Sequence, residues 1–242
     1  MHAAVGVPIA VNLADAMNVL SMYPLVENRD ILGGQVTYEI LAEVLHMVTE
    51  TAEGQAIELG WMRDNVVDLN DEDYFRMTLK KTAWYTCIHP CRIGALIGLG
   101  GSLGLDRFNQ FAYFMGVAFQ IQDDVLNLVA DYRRYGKEIA GDIWEGKRTL
   151  MLIHLLNSCS SSEKARITEF LLLPRHKRDE EAVNWVYLLM EKYDCIDYAR
   201  MVARQLADEA LKQFSVAYAK APDSEDKDFI RLIVEYMIER NL

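Results

Sequence analysis

The 242-residue chain is short of helix breakers: its only prolines are Pro8, Pro24, Pro90, Pro174 and Pro222. Long stretches can therefore run helical without interruption. No segment alternates apolar and polar residues convincingly over a strand length, which leaves sheet architectures without support. Cysteine is sparse. Cys87, Cys91, Cys159 and Cys195 show no framework spacing, which argues against a disulfide-stapled secreted domain and for reduced thiols in a cytoplasmic protein. Cys87-x-x-x-Cys91 lacks the companion Cys or His pair of a structural zinc site. Positive charge is also short, with 25 Lys and Arg against 36 Asp and Glu and a formal net charge of −11. That balance disfavours nucleic acid, whose phosphates demand clustered cations, and an anionic membrane surface. No uninterrupted apolar run reaches the roughly 18 residues of a transmembrane helix, and no charged-then-apolar leader opens the chain. What is abundant is apolar content, 51% of residues, enough to bury a substantial core in one domain spanning 1–242.

Apolar periodicity predicts helices over 9–23, ended by Pro24, and over 35–60, with Val36, Ile40, Val44, Met47 and Val48 buried. Asn70 or Asp71 can cap the next helix, which bends or stops near Pro90. Gly98 to Gly104 reads as a connector. Further helices are expected over 107–130, 147–159, 163–173, 179–194, 196–220 and 225–240, with Pro174 and Arg175 to Arg178 forming a surface loop. His46, His89 and His154 read as packed or surface histidines, and the four tryptophans as core and loop anchors.

The chemistry concentrates at Phe119-Gln120-Ile121-Gln122-Asp123-Asp124-Val125-Leu126-Asn127. At about 100° per residue, Gln120, Asp123, Asp124, Asn127 and Asp131 fall within roughly 60° of one direction. Two unit charges about 4 Å apart repel by about 1 kcal/mol in water and several times that in a partly dry cleft. A hard divalent cation removes the penalty, and Mg²⁺ favours carboxylate, water and phosphate oxygens. A solvated acidic stripe is the plainer reading of such a pair taken alone. Downstream, Lys137 and Lys147 each follow a glycine, where the backbone can bend to aim an ammonium. Acids followed by lysines are the arrangement needed to hold a metal–diphosphate, although an ordinary surface loop fits the lysines equally well. Gly146-Lys147-Arg148-Thr149 is no Walker loop, since the first glycine and the Ser/Thr next to the lysine are missing.

Phe119-Gln120-x-x-Asp123-Asp124-x-x-Asn127, followed by Gly136-Lys137 and Gly146-Lys147-x-Thr149, resembles the second aspartate-rich region of trans-isoprenyl diphosphate synthases, and is closest to the geranylgeranyl type. Other segments match in the family's order: His2-x-x-x-Gly6-Val7-Pro8-x-Ala10-x-Asn12, Glu53-Gly54-Gln55-x-x-Glu58 with Glu in place of the usual Asp, Tyr74-x-x-Met77-x-x-x-Lys81-Thr82, and the ending Phe229 to Arg240. The family's first aspartate-rich motif would lie just ahead of His2, so the resemblance implies an N-terminally truncated member that turns over weakly or not at all alone.

The resemblance implies an all-α fold, an isoprenoid-synthase-type antiparallel helix bundle around a central cavity. It implies Mg²⁺ held by Asp123, Asp124 and Asn127. Lys81, Thr82, Gln120, Lys137, Lys147 and Gln55 would hold the diphosphate, and Lys81 is counted with Asp123 and Asp124 among the catalytic groups. The implied reaction condenses isopentenyl diphosphate with an allylic prenyl diphosphate, giving geranylgeranyl diphosphate. Helices 35–60 and 107–130 would wall an apolar cavity for the growing chain. A homodimer, or a heteromer with a related synthase, is the implied assembly. A non-catalytic subunit that modifies a complete synthase is the alternative.

Overall fold

The computed structural model describes residues 2–100, 104–129 and 140–239, and among these every regular element is helical. The order is α1 (His2–Val5), α2 (Val7–Leu20), α3 (Tyr23–Glu27), α4 (Arg29–Leu32), α5 (Gly34–Arg63), α6 (Asp71–Thr78), a π-helix (Leu79–Ile88), α7 (His89–Leu99) and α8 (Arg107–Val129). Then follow α9 (Gly141–Glu145), α10 (Leu150–Ser158), α11 (Ser161–Leu172), a single 3₁₀ turn (Arg175–Lys177), α12 (Glu180–Lys192), α13 (Cys195–Ala217) and α14 (Glu225–Glu239).

Local sequence explains most boundaries. Asn70 opens α6 through a capping box: its side chain accepts from the Asp73 N–H at 3.1 Å, and Asp73 accepts from the Asn70 N–H at 3.2 Å. Ser160 and Glu163 form the same box ahead of α11. Thr149 caps α10, which moves that helix start from the expected 147 to Leu150. Pro24 does not end a 9–23 helix. The helix spans Val7–Leu20, and Pro24 sits in the first turn of α3, where its missing N–H costs nothing. Pro90 likewise stands in the first turn of α7. The expected helix up to Pro90 is divided, because ten residues from Leu79 run as π-helix before the α ladder resumes at His89.

α8 is the central element. It packs along α13 on one side and the π-helix on the other, and Phe111, Val117 and Ile121 are wholly buried. One core cluster joins the C-terminal half of α8 to α10, α11, α12 and α13, and a second joins its N-terminal half to the π-helix, α13 and α14. The π-helix is held by two close approaches. A Cβ on Gly54 of α5 would lie 2.2 Å from the Lys81 backbone nitrogen, and one on Gly116 of α8 would lie 2.7 Å from the Ala83 Cβ. Only glycine permits either contact. The π-helix thus occupies the space between α5 and α8, where 35–60 and 107–130 were expected to wall an apolar cavity; the opening lined by both helices is polar.

Three further expectations change. Val48 is exposed, because the outward face of α5 is itself apolar, carrying Tyr38, Leu41, Leu45 and Val48 at three- and four-residue spacing. Arg178 is buried, unlike Arg175 to Lys177 beside it. Val7–Glu27 averages a hydropathy of 1.3, making it long and apolar enough by length and composition to cross a membrane, with none of it buried. It is not an unbroken apolar run, because Asn12, Asp15 and Asn18 interrupt the apolar residues without lowering the average enough.

Candidate active site

The π-helix presents Lys80 and Lys81 in different directions. Lys80 turns outward to Glu50 and Glu53, at 2.9 and 2.8 Å. Lys81 turns inward, its Nζ 2.5 Å from Glu58 Oε2 on α5, and Gln55 Nε2 reaches the same oxygen at 3.4 Å. Thr82, next on the π-helix, donates to Gln120 Oε1 on α8 at 2.9 Å. Gln120 in turn donates to Asp124 Oδ1 at 2.8 Å, and the Tyr74 hydroxyl donates to Asp124 Oδ2 at 2.7 Å. A wide helical turn at this place is in keeping with the use of π-helical segments at functional sites.

Asp124 is buried, and Asp123 lies half-buried beside it. Burial pushes the Asp124 carboxyl well above the ordinary range, and the nearby charge of Asp142 pushes the same way. The Tyr74 and Gln120 hydrogen bonds and the Lys147 charge pull back without winning. Tyr74, buried against that carboxylate, is held far above the usual phenol range.

Opposite the π-helix, α9 brings Asp142 and the following turn brings Lys147. Lys147 Nζ sits 2.5 Å from Asp142 Oδ1 and 3.5 Å from Glu145. Burial works against the Lys147 charge, but Asp142 outweighs it and holds the ammonium above its ordinary value. Burial still raises Asp142 despite that partner. Asn127 fixes this segment from α8: its carbonyl accepts from the Ala140 N–H at 2.8 Å and its Oδ1 from the Asp142 N–H at 3.0 Å. Between these groups lies a polar cavity of about 30 Å³ lined by Glu58, Tyr74, Lys81, Thr82, Gln120, Asp124, Lys147 and Arg148. It is large enough for a water or two. Two lysines parked on carboxylates thus face a buried aspartate held by two neutral partners, Tyr74 and Gln120.

The polyprenyl synthetase family model matches residues 1–190. The chain belongs to that family. It is 28% identical to the short chain isoprenyl diphosphate synthase of Methanothermobacter thermautotrophicus, over 99% of this chain and 70% of that protein. It is 25% identical to the geranylgeranyl diphosphate synthase of Saccharolobus solfataricus, over 91% and 70%. Its fold matches the crystal structure of geranylgeranyl pyrophosphate synthetase from Pyrococcus horikoshii with a TM-score of 0.81 and 25% identity, covering 99% of this chain and 69% of that one.

In this polyprenyl synthetase the residues singled out from sequence largely converge. Lys81, Thr82, Gln120, Asp124 and Lys147 line one cavity, Gln55 stands behind it through Glu58, and Asp123 adjoins Asp124. The Asn127 side-chain oxygen is engaged by the Asp142 backbone. Lys137 and Asp131 lie outside the described residues. Sequence reasoning gave no role to Tyr74, Asp142, Arg148 or Arg178. Tyr74 was findable, since seven residues separate it from Lys81, about two helical turns. Arg148 and Arg178 carried no periodic signal. Arg148 is buried in the turn after α9, donating to the Val66 carbonyl at 3.1 Å, the Gly146 carbonyl at 2.5 Å and Asn65 Oδ1 at 2.7 Å.

The donor set suits a hard cation. Asp124 and Asp142 are two carboxylates made costly to ionise by burial, with the charge of Asp142 adding to the effect at Asp124. Among the described residues no group of three or more His, Cys, Asp or Glu is gathered for a metal.

Proposed function

We propose that this chain is a Mg²⁺-dependent prenyltransferase that condenses isopentenyl diphosphate with an allylic prenyl diphosphate, with geranylgeranyl diphosphate as the product. The observation that carries the reading is the convergence of Lys81, Thr82, Gln120, Asp124 and Lys147 on one cavity in a member of the polyprenyl synthetase family. The relatives named for geranylgeranyl diphosphate support the choice of product.

Asp123 and Asp124 are the residues that would hold Mg²⁺, with Asn127 ordering the neighbouring Asp142 segment. When bound, the cation supplies charge neutralisation for the diphosphate. The protein's own part is positional. Lys81 leaves Glu58 and Lys147 leaves Asp142, and both ammonium groups turn to the diphosphate oxygens. Thr82 and Gln120 add neutral donors. As the allylic C–O bond ionises, charge grows on the leaving diphosphate, and fixed lysines in a water-poor site stabilise it most where it grows most. The double bond of isopentenyl diphosphate captures the allylic cation, and a proton is lost to the departed diphosphate.

A homodimer or a heteromer with a related synthase suits the outward face of α5 and the exposed α2, where Val7, Ile9, Met17 and Val19 lie open. Four free thiols agree with a reducing, cytoplasmic setting.

The test is conversion of farnesyl and isopentenyl diphosphates with Mg²⁺, followed by mass spectrometry. In a version carrying the family's N-terminal helices, Asp123→Ala should abolish product while helicity by circular dichroism is unchanged. Wild-type rates in that variant would remove Asp123 from the mechanism.

A further inference from the structure

Arg178 follows the exposed 3₁₀ turn, yet its side chain is buried and directed at the lysine-bearing turn. Nη1 donates to the Trp144 carbonyl at 2.6 Å and reaches that of Ile143 at 3.4 Å, while Nη2 donates to the Leu171 carbonyl at 3.0 Å. The guanidinium lies on the face of Gly146, where an added Cβ would be 2.8 Å from both terminal nitrogens. Gly146 is at φ +69°, so both its backbone and its missing side chain are needed here. Arg148 grips the same residue from elsewhere, through the Gly146 carbonyl. Lys147 therefore stands next to a glycine held by two guanidinium groups.

The economics of burial argue that this clamp serves more than stability. All the hydrogen bonds of both arginines go to neutral acceptors, and no carboxylate among the described residues forms an ion pair with either. The Arg178 Nε is buried without a partner. Burying an ion without a counter-charge is costly, and an apolar side chain of similar size would fill the space more favourably. What a planar guanidinium provides and an apolar side chain cannot is a fixed, multi-point grip on carbonyls from two elements, α9 and α11.

We propose that Arg178 is a positioning residue for Lys147: by tying the Ile143 and Trp144 carbonyls and the face of Gly146 to the end of α11, it holds the Lys147 ammonium in line with the cavity. The inference rests on the diphosphate-binding reading above. Arg178 touches no ligand and acts only through the turn.

Binding of inorganic pyrophosphate in the presence of Mg²⁺, followed by calorimetry, separates the possibilities. Lys147→Ala and Arg178→Gln should each weaken binding about tenfold, in line with the sensitivity of such sites to small displacements. The double variant should bind no more weakly than Lys147→Ala alone, because Arg178 has nothing left to position. A merely structural arginine would shift the melting temperature and leave the two losses multiplicative. If Arg178→Gln does not fold, Arg178→Lys keeps a cation but loses the planar grip, and the same cycle is run with it. Wild-type affinity in the arginine variant, or multiplicative losses, overturns the proposal. Wild-type affinity in Lys147→Ala overturns the diphosphate reading itself, and the proposal with it.

Discussion

The two cavity lysines rest on opposite kinds of support. Lys81 is carried by a helix pressed between two others, with Gly54 and Gly116 allowing backbone contact on either side. Lys147 is carried by a turn held by side-chain to backbone hydrogen bonds from Arg148 and Arg178. Both ammonium groups end 2.5 Å from a carboxylate, so the resting geometry is the same although the scaffolds differ. The difference teaches that one lysine is inseparable from global packing, whereas the other is tuned locally and can be displaced without unfolding the protein.

The harshest way to break that contrast is Gly54→Ala. Its Cβ has no room beside the Lys81 backbone, so α5 and the π-helix must separate, costing about 3 kcal/mol, the upper end of ordinary overpacking. Gly146→Ala should cost only about 1–2 kcal/mol, from the left-handed backbone, with further strain where Arg178 must move. Denaturant midpoints of the two variants measure this, and equal losses would erase the distinction between a packed and a clamped lysine.

Binding sharpens it further. Lys81→Ala should weaken Mg²⁺–pyrophosphate by roughly tenfold or more, the loss of one charge-assisted contact of about 1.5–3 kcal/mol, with little change in fold. Retention of wild-type affinity on titration would remove Lys81 from the ligand's path. A smaller and opposite effect is expected from Glu58→Gln. Lys81 no longer has to leave a carboxylate, so affinity should rise a few-fold, on the scale of a partly screened ion pair. Weaker binding by that variant would show that Glu58 orders Lys81 rather than competing for it.

The smallest effect concerns the flank of the π-helix. His89 is buried against Glu43, 2.6 Å from its Nδ1, and Arg92 grips the same carboxylate at 2.7 Å. Burial depresses the basicity of His89, and the attraction of Glu43 only partly offsets it. Burial would raise the Glu43 carboxyl, but Arg92 and His89 hold it below the ordinary range. Both groups bind protons less readily in the folded state than in the unfolded one. Their contribution is therefore present above the unfolded values of 6.5 and 4.5 and is lost as pH falls through the lowered folded ones. Melting temperature should drop between pH 7 and pH 4, and His89→Gln should flatten the slope.

How much of this was legible depends on the kind of contact. Asp124 and Gln120 could be read because helix periodicity aims side chains, whereas Lys81 and Thr82 were legible only through the family's motif, since periodicity does not choose between Lys80 and Lys81. The π-helix was not legible, since it preserves apolar content while changing the turn, and only the pressure of Gly54 and Gly116 reveals it. Arg178 was unreadable for another reason: a basic run in a loop has no period, and burial of its last member depends on a glycine 32 residues earlier in the chain. The outward side of α5 shows the converse. Its apolar pattern was clear and predicted helix correctly, yet Val48 is exposed because the pattern covers more than one face.

The central claim is that Asp123, Asp124 and the two lysines together grip a metal–diphosphate. Titration of farnesyl diphosphate into the protein by calorimetry, with and without Mg²⁺, tests it directly. Binding should require Mg²⁺ and should fall at least tenfold in Asp123→Asn, the scale of losing one charged partner. Equal binding in chelator and in Mg²⁺, unchanged by that substitution, would contradict the account.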